Sequence, residues 1–275
     1  MEQARIARSN AEDAYQAIKK LIVTVQLPPG SPFTEGELVK RIGLGKTPVR
    51  EALLRLKLEN LIAVQPRSGY RVVPVTLRDV RDACQLLGYL EAQTAEKAAG
   101  DPGSHVRLER LHGQLEQAAA DEDGQSPDGW LRADWQFHLG FARGQDNQFQ
   151  VDVMTKLNQL ILRFRYLAIA LGIPARKLAH QHDDLLDAVG QADSAAAVAA
   201  TRDIWRETEA GLVGLLSETD SVQSANVWSG HDKNAFYLDA VPPGPAIPDV
   251  FEPRLPTETR AARPRPARSE PAEPS

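Results

Sequence analysis

The stretch "IGLGKTPVREALLRLKLENLIAVQPRSGYRVV", residues 42–73, decides the fold. Its middle reads as a helix, because Val49, Leu53 and Leu56 recur at i, i+4 and i+7 and build one apolar face. Arg50 and Lys57 leave on another side, and Lys46 stands just before the helix. Thr47 reads as the N-cap, with Pro48 at the first helical position, where a missing N–H costs nothing. Asn60 suits the left-handed conformation that ends a helix. "LIAVQ" and "YRVVP" then pair across "PRSG" as a hairpin, with Arg67 at its tip.

Upstream, residues 11–25 read as a helix with Ile18, Leu21, Ile22 and Val25 on one side. Pro28, Pro29 and Gly30 end it. "TEGELVKRI" starts another helix, with Thr34 and Glu37 at capping-box spacing. The turn Gly43-Leu44-Gly45 joins it to the basic helix. Two helices on a short glycine turn, the second basic at its N-terminal end, form a helix-turn-helix, which places that end in the major groove of double-stranded DNA. There Arg and Lys meet guanine O6/N7 or phosphates. The hairpin is then a wing whose tip reaches the neighbouring backbone.

Charge agrees with that reading. Residues 1–80 hold 13 Lys and Arg against 8 Asp and Glu, while the whole chain stands at −5. A basic segment on an acidic remainder points to one part that meets a polyanion. No apolar run approaches the ~20 residues of a membrane helix, and "MEQARIARSNAEDAYQ" has no apolar signal core. The lone Cys84 excludes an internal disulfide. A cytoplasmic protein without membrane partners is expected.

Residues 14–75 resemble the winged helix-turn-helix of GntR-family bacterial transcription regulators. "LPPGSPFTEGELVKRIGLGKTPVREALLRLKLENLIAVQPRSGYRVV" follows the family pattern along its whole length. The resemblance implies DNA contacts from Lys46, Thr47 and Arg50 at the start of the recognition helix, and from Arg67 and Gly69 in the wing. Gly36 stands where many members carry a DNA-contacting arginine.

Beyond the wing the chain is read as almost wholly helical from 77 to 218, with apolar spacings such as Leu108, Leu111 and Leu115. "LLGYLEAQTAEKAAG", "DWQFHLGFARGQDN" and "HDDLLDAVGQAD" are similar, in order and spacing, to helices of the FadR-type effector domain, FCD. The expected architecture is mainly α: a winged helix-turn-helix over 1–76, an FCD-type effector-binding and dimerisation bundle over 77–218, and a mostly disordered tail over 219–275. The tail holds 10 of the 19 prolines, with Trp228, Phe236 and Tyr237 as a segment able to dock.

Asp134 and His138 are four apart and share a helix face; with His182 they form a three-ligand set with open positions. On spacing alone such an Asp–His pair is more often solvent-exposed. The resemblance implies a divalent transition metal, zinc or nickel, at these residues. In metal-binding members another histidine follows by 22 residues; here that place is Ile204, so the set is incomplete and weak or absent binding is expected. His180, two residues from His182, points elsewhere on a helix. Many members also hold an organic acid with an arginine four residues before the glutamate that is Glu91 here; that place is Leu87. Arg163 and Arg165 are the candidate replacements, although helical arginines are usually solvated or snorkelling. The effector is then an organic acid or a more apolar metabolite.

The leading expectation is a ligand-responsive regulator, not an enzyme, that binds a palindromic operator as a homodimer. Two alternatives are a metal-dependent hydrolase built on the Asp/His cluster and a DNA-binding protein whose helical part only dimerises.

Overall fold

A computed structural model describes residues 2–120, 128–144, 147–173, 182–218 and 235–236. The N-terminal half opens with α1 (Glu2–Val23), the short strand β1 (Pro32–Phe33), α2 (Glu35–Ile42) and α3 (Lys46–Leu58), followed by β2 (Ile62–Gln65) and β3 (Gly69–Val72). The first helix ends two residues before the expected Val25, which itself takes a left-handed φ of 61° and turns the chain. The Thr34/Glu37 capping box forms in both directions and starts α2. Gly43 closes α2 at φ 72°, and Asn60 follows α3 at φ 56°. Ala14, Ile18 and Ile22 of α1, Leu38 of α2 and Val49, Leu53 and Leu56 of α3 bury together with Ile62 and Val72 of the hairpin. The expected apolar face of the basic helix is therefore the one that packs.

Two local readings are corrected. The cap of α3 is Gly45, in extended conformation and with no side-chain hydrogen bond, so α3 begins at Lys46 and Thr47 lies inside its first turn. Pro48 still fits, because the first four N–H groups of a helix have no intrahelical partner. The wing is also three-stranded, in the order β1-β3-β2: Pro32 pairs with Arg71 and Phe33 with Tyr70, while Ile62 to Gln65 run antiparallel to Val72 to Gly69. The Phe33 and Tyr70 rings stack at 5.7 Å, which ties the α1–α2 connection to the wing.

The strand β4 (Val75–Thr76) leads into α4 (Leu77–Ala98), capped by a second reciprocal box between Thr76 and Asp79. Then come α5 (Pro102–Ala120), α6 (Asp128–Arg143), α7 (Gln148–Ala170), α8 (Asp183–Gly190) and α9 (Ser194–Glu218). Helix α4 packs along α9 and α7, and its buried face carries Val80, Cys84 and Leu87. A neighbouring apolar cluster joins Leu108, Phe137, Leu185 and Ile204. Burial pushes the Cys84 thiol up to about 12, so it stays protonated and inert near neutrality. A last strand, β5 (Ala235–Phe236), pairs with β4. The remainder of the tail, with Trp228 and Tyr237, lies outside the described residues.

The two halves touch through side chains. Val23 and Val25 from the end of α1, and Val75 from β4, bury in the same cluster as Phe164 and Leu167 of α7. Arg163 of α7, 3% exposed, donates to the backbone carbonyl of Val73 in the segment between wing and α4. Burial holds the Arg163 guanidinium down to about 10, which still leaves it charged at neutral pH.

Candidate DNA-binding surface and candidate metal centre

Lys46, Thr47 and Arg50 are exposed along the first turns of α3, and Arg67 is exposed at the wing tip. Gly69 closes the wing turn at φ 96°, paired with Gln65. No acidic residue stands in the first turn of α3, and its cap supplies no side-chain acceptor. The helix start thus carries no carboxylate of its own first turn, as an anion-binding helix start requires. Gly36 is as open as the sequence suggests: a Cβ there would meet nothing within 4 Å. Sequence reasoning missed the partner of Arg50. Glu35, the first residue of α2, accepts from Arg50 Nε at 3.1 Å and from Nη2 at 3.0 Å. The bidentate carboxylate holds the Arg50 guanidinium above its usual range.

The second site lies inside the helical half. Asp134 and His138 project from α6, and His182 immediately precedes α8. All three are buried, contrary to the exposed pair that spacing alone favours. The two imidazole Nε2 atoms stand 3.4 Å apart, and Asp134 Oδ1 is 3.9 Å from each. Nitrogen ligands on a tetrahedral zinc ion lie roughly 3.3 Å from one another. The donor set therefore fits a divalent transition metal, with one carboxylate and two nitrogens gathered about a common point.

Glu91 of α4 explains why His138 points inward. Both its carboxylate oxygens lie 2.9 Å from His138 Nδ1, and Trp205 Nε1 of α9 donates to the same carboxylate at 2.7 Å. A carboxylate on Nδ1 leaves Nε2 as the lone pair that faces Asp134 and His182. Burial alone would lower the His138 pKa, but the Glu91 charge and hydrogen bond outweigh it, with Asp134 adding to them, and raise it. The rings of Trp205 and Phe137 line the site, at 4.8 Å from His138 and 4.2 Å from His182 respectively.

The two candidate effector arginines part company. Arg165 is buried against Asp134 as an ion pair and stacks 5.4 Å from the Trp130 ring. Arg163 instead reaches the Val73 carbonyl, so it does not join the cluster. Neither is solvated or snorkelling, because each has an internal acceptor. Leu87 is fully buried in the apolar core. Ile204 is buried in the neighbouring apolar cluster, among Phe137 and Leu185. His180 lies outside the described residues. At the rim, His112, Glu116 and Asp183 gather within 4.8 Å, but both carboxylates are exposed, and Asp183 there also complements the N-terminus of α8.

Residues 10–72 match the family described as bacterial regulatory proteins, gntR family, and residues 82–207 match the FCD domain. A Streptomyces ambofaciens protein described as an HTH-type transcriptional regulator in an unstable DNA locus is 32% identical over 203 residues, covering 71% of this chain and 81% of its own. The HTH-type transcriptional repressor RspR of Escherichia coli is 26% identical over 182 residues, covering 66% and 79%. Among solved structures, E. coli McbR/YncC shares the fold at a TM-score of 0.63 and 21% identity, over 74% of this chain and 97% of that one. Among the described residues, no helix is long and apolar enough to cross a membrane.

Proposed function

The chain belongs to the gntR family of bacterial regulatory proteins and is a DNA-binding transcription regulator with an FCD domain; from that premise we propose that it answers to a small-molecule effector and acts as a homodimer on a palindromic operator in the cytoplasm. One observation carries the effector reading. Glu91, Asp134, His138, Arg165 and His182, five ionisable side chains, are all buried together in the helical body. Burying that many ionisable groups costs stability relative to apolar packing, so a body that only dimerised would have no use for them. The hydrolase alternative is not favoured, because the family consists of regulators, not enzymes.

Asp134, His138 and His182 would hold the metal, and a bound ion there would supply an open position for an anionic group of the effector. Arg165 adds a fixed positive charge beside Asp134, and Phe137 and Trp205 add aromatic walls. An organic acid with a partly apolar body suits these groups. Leu87, where many members have an arginine, shifts the preference toward the apolar side. Exposed Leu86 and Tyr89 on α4, and Phe149 and Val153 on the adjoining α7, support the homodimer.

The metal set lacks the fourth ligand, so the purified protein is expected to hold sub-stoichiometric zinc or nickel. Ile204→His should raise that occupancy, and His138→Ala should abolish it. Elemental analysis of the three proteins decides. One tightly held ion per wild-type chain would show that Ile204 is no lost ligand. Candidate organic acids should then raise the melting temperature only where metal is present.

On the DNA side, Arg50→Ala is expected to weaken binding to an operator selected from random duplexes by about 1–3 kcal/mol. Arg67→Ala should weaken all sequences alike and reduce the salt slope by about one. Gel-shift titrations across salt concentrations read both. Unchanged operator affinity for Arg50→Ala would sink the placement of α3 in the groove.

A further inference from the structure

We propose that Glu35 is the positioning residue that gives Arg50 its base specificity, by holding the guanidinium so that its outer fork alone remains for a guanine. The proposal rests on the reading of α3 as the helix that enters the major groove.

An arginine carries five N–H donors on two usable edges. The side edge is Nε with one Nη; the end edge is the outer pair, one hydrogen from each Nη. Glu35 occupies the side edge of Arg50 with both oxygens, at 3.1 Å to Nε and 3.0 Å to Nη2. What remains is the end edge, the two-pronged donor that matches guanine O6 and N7. The Arg50 side chain is 67% exposed, whereas Glu35 is only 21% exposed. The carboxylate is thus the fixed partner and the guanidinium the projecting one.

Glu35 is itself placed by the helix start. The reciprocal bonds between Thr34 and Glu37 fix the first turn of α2, and Glu35 is the first residue of that turn. An unrestrained arginine samples many rotamers and loses that freedom when one must be selected. The pairing selects one before DNA arrives. Gly36 brings no second donor from the same turn, so discrimination at this point of the operator falls on Arg50.

The charge on Glu35 makes the proposal sharply testable. A carboxylate at a surface that meets phosphates opposes binding to any duplex. As a positioning group it favours the right sequence, and as a charge it weakens the wrong ones. Removing it should therefore weaken the selected sequence relative to the unrelated one, rather than change both alike.

The experiment uses the full chain and an operator selected by the wild-type protein from random duplexes. Affinities are measured for that operator, for an unrelated duplex, and for operators in which single guanines are replaced by 7-deazaguanine. Glu35→Gln is expected to lower the operator-to-unrelated affinity ratio by about tenfold, with equal or tighter binding to the unrelated duplex. The loss should map to the guanine whose replacement no longer matters in Arg50→Ala. In the double variant Glu35→Gln/Arg50→Ala, discrimination should fall no further than in Arg50→Ala. Arg50→Lys, which keeps the charge but has no fork, should lose the same guanine without any change to α2.

Equal weakening of both duplexes by Glu35→Gln would assign Glu35 a structural role. Equal strengthening would assign it plain repulsion. Additivity with Arg50→Ala, or retained discrimination in Arg50→Lys, would also overturn the proposal. If Arg50→Ala itself leaves operator recognition intact, the groove reading of α3 has failed instead, and the two failures are told apart.

Discussion

Glu91→Ala is expected to lower the stability of the helical half by about 3–5 kcal/mol, the range for breaking a buried charge pair. Glu91 is fully buried, and its carboxylate accepts from both His138 and Trp205. Alanine removes the acceptor and leaves an imidazole and an indole N–H facing a void. The imidazole loses the charge that sustains its proton, and the indole N–H loses its acceptor, so neither regains in the fold what water would supply. At about 2–4 °C per kcal/mol for a unit of this size, the melting temperature should drop by roughly 10 °C. Glu91→Gln keeps one acceptor and should lose less. Calorimetry of the two variants beside wild type reads the order; an Ala variant as stable as the Gln variant would show that the carboxylate holds nothing.

Gly69→Ala should be nearly as damaging, but in the other half. A Cβ on Gly69 would lie 2.7 Å from the backbone carbonyl oxygen of Phe33, and Gly69 has φ 96°. A backbone oxygen cannot step aside as a flexible side-chain end can. Strain at such a φ costs about 1–3 kcal/mol, and overpacking costs about 1–3 kcal/mol more. The cheapest relief is to part β1 from β3, which undoes the Phe33–Tyr70 stack and re-aims Arg67. Amide exchange should speed up through residues 69–72, and operator affinity should collapse while the helical half melts as before. Wild-type exchange and wild-type affinity together would refute this account of the wing.

The winged half was legible because its signals are local. Thr34 and Glu37 are three residues apart, the α3 face repeats every turn, and Asn60 and Gly69 answer to backbone geometry at single positions. The start of α3 differs from its sequence signal for the same reason: Thr47-Pro48 is a strong local cap signal, but Gly45 already takes the extended conformation of a cap. The strand β1 is not foreseen, since two residues carry no period and their partners Arg71 and Tyr70 lie 39 and 37 positions away.

The helical half was legible in outline and opaque in its partners. Asp134 and His138 share a face by spacing, and His182 joins them as the resemblance implied. In the sequence Glu91 serves only to place Leu87, yet it is the group that aims His138, from 47 residues away. Arg163 and Arg165 are two residues apart and leave α7 in different directions, which helical geometry predicts. Which one meets Asp134 depends on the placement of α6, and no local rule supplies that. A glycine-like signal would have helped, but a buried carboxylate leaves none in the sequence.

The bond from Arg163 to the Val73 carbonyl bears on how such regulators can be recombined. A sensor exchange that cuts the chain just after the wing would keep every residue of the DNA-reading half and still lose this contact. The transplanted body would meet the junction without its arginine, and Val23 and Val25 would face an unfamiliar wall. The workable seam is therefore not a point in the linker. A hybrid needs the end of α1, the Val73–Thr76 segment and the Arg163 turn of α7 to travel from the same parent.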